Sequence, residues 1–133
     1  MFATEGWDLI LTARREGPLQ ALAADLADLG AAVTVIPEDL SDPAAPRRLF
    51  DVVQSRGLIV DGLVNNAGFS RTAGFLAAAP EDHAAMIRVM LTAPVELARL
   101  FAPAMAASST SPPWPDRCRR PAATPSTVRS RPS

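Results

Sequence analysis

The sequence contains no tyrosine and no lysine, and these two absences exclude several kinds of catalytic site. All 13 basic residues are arginine, and 14 acidic residues leave a net charge of −1. A chain so nearly neutral gives no reason to expect nucleic acid or an anionic membrane as a main partner. No apolar run approaches the roughly 18 residues of a membrane span, and the N-terminus lacks the charged and apolar regions of a signal peptide.

Cysteine and histidine are almost absent as well. The one cysteine, Cys118, cannot form an internal disulfide, so a reducing cytoplasm is the expected location. The one histidine, His83, has no other ligand-type residue spaced with it or with Cys118 in the way a metal ion requires. We therefore expect no metal site.

Composition divides the 133 residues into two parts at Ala107. Hydrophobic residues make up 48% of the chain, and most of them precede this point. Residues 108–133 instead contain six serines, six prolines and five arginines. Such a segment cannot bury enough apolar surface to offset the entropy of ordering, so 108–133 is predicted to be a disordered tail. A basic arm that binds nucleic acid is the less favoured alternative.

Residues 1–107 alternate between strand-like and helix-like patterns. Short apolar segments predict strands at 7–12, 31–36 and 58–65. Helical spacing of apolar residues, with proline near the start, predicts helices at 18–29, 43–56 and 80–106. Asp42 is the expected N-cap of the second helix, and Pro94 is expected to kink the third. This order of elements is typical of an α/β fold with a parallel sheet.

The most informative stretch is Asn65-Asn66-Ala67-Gly68, which follows the third predicted strand. In an open α/β sheet the carboxyl ends of the strands face the ligand crevice. The small Ala67 and Gly68 let backbone approach a flat ligand, and Asn65 or Asn66 can fix a neighbouring element or the ligand. An ordinary turn is the alternative, because asparagine and glycine are common there.

Three segments in the same order and spacing resemble the short-chain dehydrogenase/reductase family. They are the Asn65–Gly68 motif, the pair Asp39-Leu40 after the second strand, and the long helix containing Leu91-Thr92-Ala93-Pro94. The resemblance covers residues 1–107 and implies part of a Rossmann-type doubly wound parallel sheet. In that sheet the family's first strand and C-terminal half are missing, and the disordered tail follows.

The resemblance implies NADP as the cofactor. In this fold an acidic residue after the second family strand bonds the ribose of NAD, whereas arginine accommodates the 2′-phosphate of NADP. Here Ala13-Arg14-Arg15 stands at that point, although two solvated surface arginines remain the alternative. The cofactor-binding residues that it implies are Arg14, Arg15, Asp39, Leu40, Asn66, Ala67 and Gly68. It also implies a small carbonyl or alcohol substrate and a homo-oligomer through helix 80–106.

Three departures from the family pattern accompany the resemblance. No G-x-G occurs, so the glycine-rich turn that holds the pyrophosphate is absent. Met90 stands where the family usually has asparagine. The catalytic Tyr-x-x-x-Lys cannot occur without tyrosine or lysine, so we assign no catalytic residue. Without the family's first strand, the strands at 7–12 and 58–65 are expected to have open edges that favour aggregation or pairing with another chain.

Three hypotheses follow for the function. In the first, the chain is a catalytically silent part of an NADP-preferring reductase. In the second, it is a non-enzymatic subunit that docks through helix 80–106 onto a full-length homologue. In the third, it is a product without a stable fold. We also expect a frameshift near codon 107 and a start assigned too far downstream, because shifted GC-rich coding DNA yields this arginine-, alanine-, proline- and serine-rich composition.

Overall fold

The computed structural model describes residues 2–69 and 74–108, together with the backbone of a strand at 127–130. The chain forms a four-stranded sheet with helices on both faces. The strands are β1 (Asp8–Leu11), β2 (Val33–Val35), β3 (Gly62–Val64) and β4 (Thr127–Ser130), in the spatial order β2-β1-β4-β3. β1 and β2 pair in parallel, with Ile10 opposite Thr34.

The helices are α1 (Glu16–Ala27), α2 (Ala45–Ser55), α3 (Pro80–Ile87) and α4 (Ala93–Ser108). A π-helical segment, Arg88–Thr92, joins α3 to α4, and two short 3₁₀ turns lie at Ala3–Glu5 and Phe75–Ala77. The predicted α/β class with parallel pairing is confirmed, and each predicted helix and strand of residues 1–107 is present with shorter or shifted bounds.

Alternation along β1 divides the core between the two faces of the sheet. Ile10 is buried in a cluster with α2 and α4 that includes Leu49, Leu97 and Phe101. Leu9 and Leu11 point to the other face and pack with α1. Because β1 is covered on both faces, three consecutive apolar residues are buried, as is typical of a strand inside a doubly wound sheet.

One local prediction in the helices was wrong. α2 begins at Ala45 rather than at Pro43, because the Asp42 carboxylate accepts a 2.9 Å hydrogen bond from the Ala44 N–H and forms a turn before the helix. A π-helical segment, Arg88–Thr92, lies directly before Pro94, and the predicted kink there stays a prediction. Proline lacks an N–H and clashes with the carbonyl four residues earlier, and a wider turn accommodates both effects.

Most of the tail that is predicted to be disordered lies outside the described residues, so that prediction stays a prediction. Within 108–133, Ser108 ends α4 and Thr127–Ser130 form β4, whereas 109–126 and 131–133 lie outside the described residues. β4 runs antiparallel to both β1 and β3, so the expected open edges of these two strands are paired. The physical reason is that backbone pairing is nearly independent of side chains, so a polar segment can satisfy two rows of unpaired amides.

The helical residues Pro80–Ala106 form a 27-residue segment that contains an 18-residue stretch with a mean hydropathy of 1.3, and by length and composition alone it could cross a membrane. Val89, Ala93, Leu97 and Phe101 of this segment are buried in the core, although only 22% of the apolar stretch is buried. A single helix of this kind is weak evidence for a span.

Candidate nucleotide-binding cleft

A cleft of about 730 Å³ lies at the carboxyl ends of β1, β2 and β3, where an open α/β sheet binds its ligands. Its volume is within the range of ligand pockets in proteins. All seven residues predicted as cofactor-binding line it, namely Arg14, Arg15, Asp39, Leu40, Asn66, Ala67 and Gly68. Three segments that are far apart in the sequence therefore meet at one place.

Arg14 and Arg15 reach the cleft because pairing between the first two strands continues past their ends. The Ile36 N–H donates to the Leu11 carbonyl at 3.0 Å, and the Glu38 N–H donates to the Ala13 carbonyl at 3.2 Å. The chain then turns into α1, which begins at Glu16. Both arginines are exposed at the mouth of the cleft, where their guanidinium groups suit a phosphate.

Asp39 is held by a local hydrogen-bond turn. Its Oδ1 accepts hydrogen bonds from the Ser41 hydroxyl at 2.7 Å and from the Ser41 N–H at 2.9 Å. These two bonds, with a smaller effect of the Arg14 charge, hold the pKa of the Asp39 carboxyl below its ordinary value, although partial burial and Asp42 oppose them. Asp39 is thus an ionised hydrogen-bond acceptor near neutral pH.

Leu40 and the motif after β3 form the apolar part of the cleft. Leu40 is buried and belongs to the core that α2 and α4 share, so it links the cleft floor to the interior. Ala67 is half-buried against the same core, and Gly68 is exposed. A β-carbon added at Gly68 would lie 3.8 Å from the side chain of Met90, which is an ordinary van der Waals distance.

The structure separates the roles of the two asparagines, which the sequence left open. The Asn65 side-chain amide donates a hydrogen bond to the Pro94 carbonyl and so ties the end of β3 to α4. Asn66 instead lines the cleft and has no hydrogen bond within the described part of the chain. Asn66 is therefore the one available to a ligand.

Sequence reasoning missed several residues of the cleft. Ser41 fixes Asp39, and a serine two residues after an aspartate is a signal of such a turn. Glu38 lines the cleft beside Asp39, and Val89 contributes from the π-helical segment. Thr12 is buried at the cleft floor, and its hydroxyl oxygen has no hydrogen-bond partner among the described residues. No sequence signal identified Thr12 or Val89.

These residues fit one half of a phosphorylated dinucleotide better than the other. Paired guanidinium groups, an ionised carboxylate and a flat wall of small residues suit an adenosine that carries a 2′-phosphate. A glycine-rich turn for the pyrophosphate does not occur in the sequence, since its seven glycines never fall two apart. Within the described residues, no group of three or more metal-ligand side chains is present.

Comparison with known proteins agrees with this geometry. The sequence profile of the short chain dehydrogenases matches residues 1–111. An uncharacterized oxidoreductase of Bacillus subtilis, YxjF, is 33% identical over 93 residues, which are 70% of this chain and 36% of that protein. The chain belongs to the short-chain dehydrogenase/reductase family, and the predicted resemblance is confirmed.

Solved structures of related enzymes share the fold. L-sorbose reductase from Gluconobacter frateurii, complexed with NADPH and L-sorbose, has a TM-score of 0.71 and 32% identity over 80% of this chain and 41% of its own. A metagenomic short-chain oxidoreductase in complex with NADP has a TM-score of 0.65 and 36% identity, over 74% of this chain and 45% of its own. The chain thus spans less than half the length of these relatives.

Proposed function

We propose that this chain provides the adenosine-binding part of an NADP-dependent short-chain oxidoreductase. The observation that carries the proposal is the meeting of Arg14 and Arg15 with Asp39 and the Asn66–Gly68 segment around one cleft. Relatives solved with NADP or NADPH support the choice of cofactor. In such an enzyme the cofactor supplies a hydride for a small carbonyl substrate or accepts one from an alcohol.

Each side chain of the cleft has a defined task in this proposal. Arg14 and Arg15 would hold the 2′-phosphate through charge-assisted hydrogen bonds, which are stronger than neutral ones. Asp39 would accept a hydrogen bond from the adenine amine, and Leu40 and Ala67 would pack against the ring. Asn66 and Gly68 would border the ribose side.

Isothermal calorimetry with adenosine 2′,5′-bisphosphate and 5′-AMP tests the proposal directly. The chain should bind the bisphosphate more tightly, and replacing both Arg14 and Arg15 by glutamine should remove most of that preference, about tenfold or more. Arg99→Gln is the control, since Arg99 is exposed on α4 away from the cleft. Equal affinity of the unmodified chain for the two nucleotides would refute NADP recognition.

We further propose that the chain is catalytically silent by itself. The family's proton donor is a tyrosine assisted by a lysine, and the sequence has neither. The whole enzyme's substrate, a small carbonyl or alcohol, is inferred from the family alone, and we propose a cytoplasmic location because a single cysteine suits a reducing compartment.

A second candidate function is docking onto another copy or a full-length homologue through helix 80–106. The exposed faces of Ile87, Leu91 and Val95, which are 52%, 62% and 68% accessible, favour it. Light scattering after size-exclusion chromatography tests it. Leu91→Glu should dissociate an oligomer, whereas Leu29→Glu, at an exposed leucine after α1, should not. A chain that is monomeric before substitution and does not co-purify with a homologue would contradict docking.

A further inference from the structure

Three carboxylates lie in a segment of five residues that follows β2. We name residues 38–42 the acidic loop; its acidic members are Glu38, Asp39 and Asp42. Glu38 and Asp39 both line the cleft that contains Arg14 and Arg15. A carboxylate in this position that is not neutralised repels a phosphate bound to the arginines and attracts the arginines to itself. Of the two, Asp39 is held in its turn by Ser41 and stays ionised, whereas the charge of Glu38 is offset by a guanidinium.

Arg48 of α2 carries that guanidinium. Its Nη2 lies 2.8 Å from Oε2 of Glu38, and its Nε lies 3.3 Å from Oε1, so the two groups form a two-point ion pair. Its Nη1 donates a 2.7 Å hydrogen bond to Oδ2 of Asp42. The Glu38 side chain is only 14% exposed in this arrangement. One guanidinium therefore holds both ends of the acidic loop.

Arg48 is also well supported by its own helix. The adjacent Leu49 is fully buried, and the ring of Phe50 packs edge-on against Phe101 of α4 at 5.1 Å between centroids. Arg48 itself does not line the cleft. The planar fork of arginine matches two carboxylates at once, which lysine or glutamine cannot do.

We propose that Arg48 is a positioning residue for 2′-phosphate recognition, because it withdraws the Glu38 carboxylate from the two cleft arginines. This inference rests on the proposed function, since it assumes that Arg14 and Arg15 bind a phosphate. Without Arg48, the charge of Glu38 is no longer offset and adds to that of the ionised Asp39 on the same wall of the cleft. Loss of Arg48 should therefore weaken the binding of the 2′-phosphate group and not the binding of adenosine.

The test is a double-variant cycle measured by calorimetry with adenosine 2′,5′-bisphosphate and 5′-AMP. Arg48→Gln should reduce the affinity for the bisphosphate about two- to tenfold and leave that for 5′-AMP nearly unchanged. Adding Glu38→Gln to Arg48→Gln should restore the bisphosphate affinity, because the repelling charge is then gone. If Arg48 had a purely structural role, Arg48→Gln would lower the affinity for both nucleotides. The additional Glu38→Gln substitution would then not restore it.

Arg47→Gln is the matched control. Arg47 is the neighbouring arginine, but it pairs with Asp51 one turn along α2 at 3.0 Å and does not contact the acidic loop. Its replacement should change neither affinity. If the unmodified chain prefers the bisphosphate and Arg48→Gln keeps that preference, or if Glu38→Gln does not restore it, the inference fails while the proposed function stands. If the unmodified chain shows no preference, both fail.

Discussion

The side-chain amide of Asn65 donates a 3.4 Å hydrogen bond to the main-chain carbonyl of Pro94, twenty-nine residues further along the chain. This bond joins the end of β3 to the first turn of α4, next to the π-helical segment. It sets the position of the residues that follow Asn65, and Asn66, Ala67 and Gly68 of the cleft are those residues. A bracing role is thus assigned to the first asparagine of the motif and a ligand-facing one to the second.

Replacing Asn65 by aspartate should therefore destabilise the chain. The carboxylate cannot donate, and it places a negative charge against a carbonyl oxygen. We expect the free energy of unfolding to fall by about 1 kcal/mol, measured by urea denaturation at neutral pH. Asn66→Asp is the matched control and should have a smaller effect on stability. Equal effects of the two substitutions would argue against the brace.

Ala13 offers a second test of cofactor choice. Ala13→Asp introduces an acidic residue immediately before Arg14, where the family fold uses one to bind the ribose of NAD. We expect the preference for adenosine 2′,5′-bisphosphate over 5′-AMP to fall about tenfold, because a carboxylate repels the 2′-phosphate. Ala13→Asn, which introduces a side chain of the same size as aspartate but without its charge, should retain most of the preference. An unchanged preference in the aspartate variant would place the phosphate elsewhere.

The Asp39 turn predicts a dependence on pH. Because the pKa of Asp39 is lower in the folded chain than its ordinary value, the unfolded chain binds more protons around pH 4. The contribution of this group to stability is therefore fully present above that pH and is lost as the pH falls through the lowered pKa. The affinity for adenosine that the ionised Asp39 provides should therefore not change with pH between about pH 5 and 8.

Ser41→Ala tests whether the Ser41 hydroxyl lowers the pKa of Asp39. Carboxyl NMR titration should show the pKa of Asp39 rising toward its ordinary value, because the 2.7 Å bond from the hydroxyl is lost. The free energy of unfolding should fall by about 0.5–1 kcal/mol at neutral pH, with the difference shrinking in acid. Ser55→Ala, whose hydroxyl bonds only the Val52 carbonyl, is the control and should leave the Asp39 titration unchanged.

Closure of the sheet by β4 is testable with proline. Val128 lies opposite Ile10 on one side and Leu63 on the other, so Val128→Pro removes an N–H from the centre of the sheet. We expect a loss of about 3 kcal/mol in the free energy of unfolding. Val128→Thr, which keeps the N–H and is also β-branched, is the control and should cost much less. In the unmodified chain, peptides covering 127–130 should exchange amide hydrogens slowly, and fast exchange there would contradict the pairing.

Catalytic silence gives the last prediction. The purified chain should not reduce carbonyl substrates with NADPH above a buffer blank, followed by the absorbance of the cofactor, because no tyrosine or lysine exists to move the proton. Turnover that persists after removal of host reductases would contradict it. A catalytically competent short-chain reductase assayed in parallel verifies that the assay detects activity.

Much of the architecture was predictable because its signals are local. Apolar runs and helical spacing located the elements of residues 1–107, and the motif Asn65–Gly68 with Asp39-Leu40 indicated both the family and the cleft. The starts of helices were less predictable. Asp42 is a good N-cap by type, but its carboxylate bonds Ala44 in a turn before the helix, and only the packing of Ala45 and Leu49 decides where α2 begins.

The sequence by itself thus determined the class of fold, seven of the residues that line the cleft and the absence of the family's catalytic pair. Tertiary structure decided which asparagine braces α4, which carboxylates pair with Arg48, and that Thr127–Ser130 complete the sheet. These features depend on distances between residues far apart in the chain. The β4 pairing in addition runs through backbone groups that every residue except proline carries alike, so side-chain composition does not indicate it.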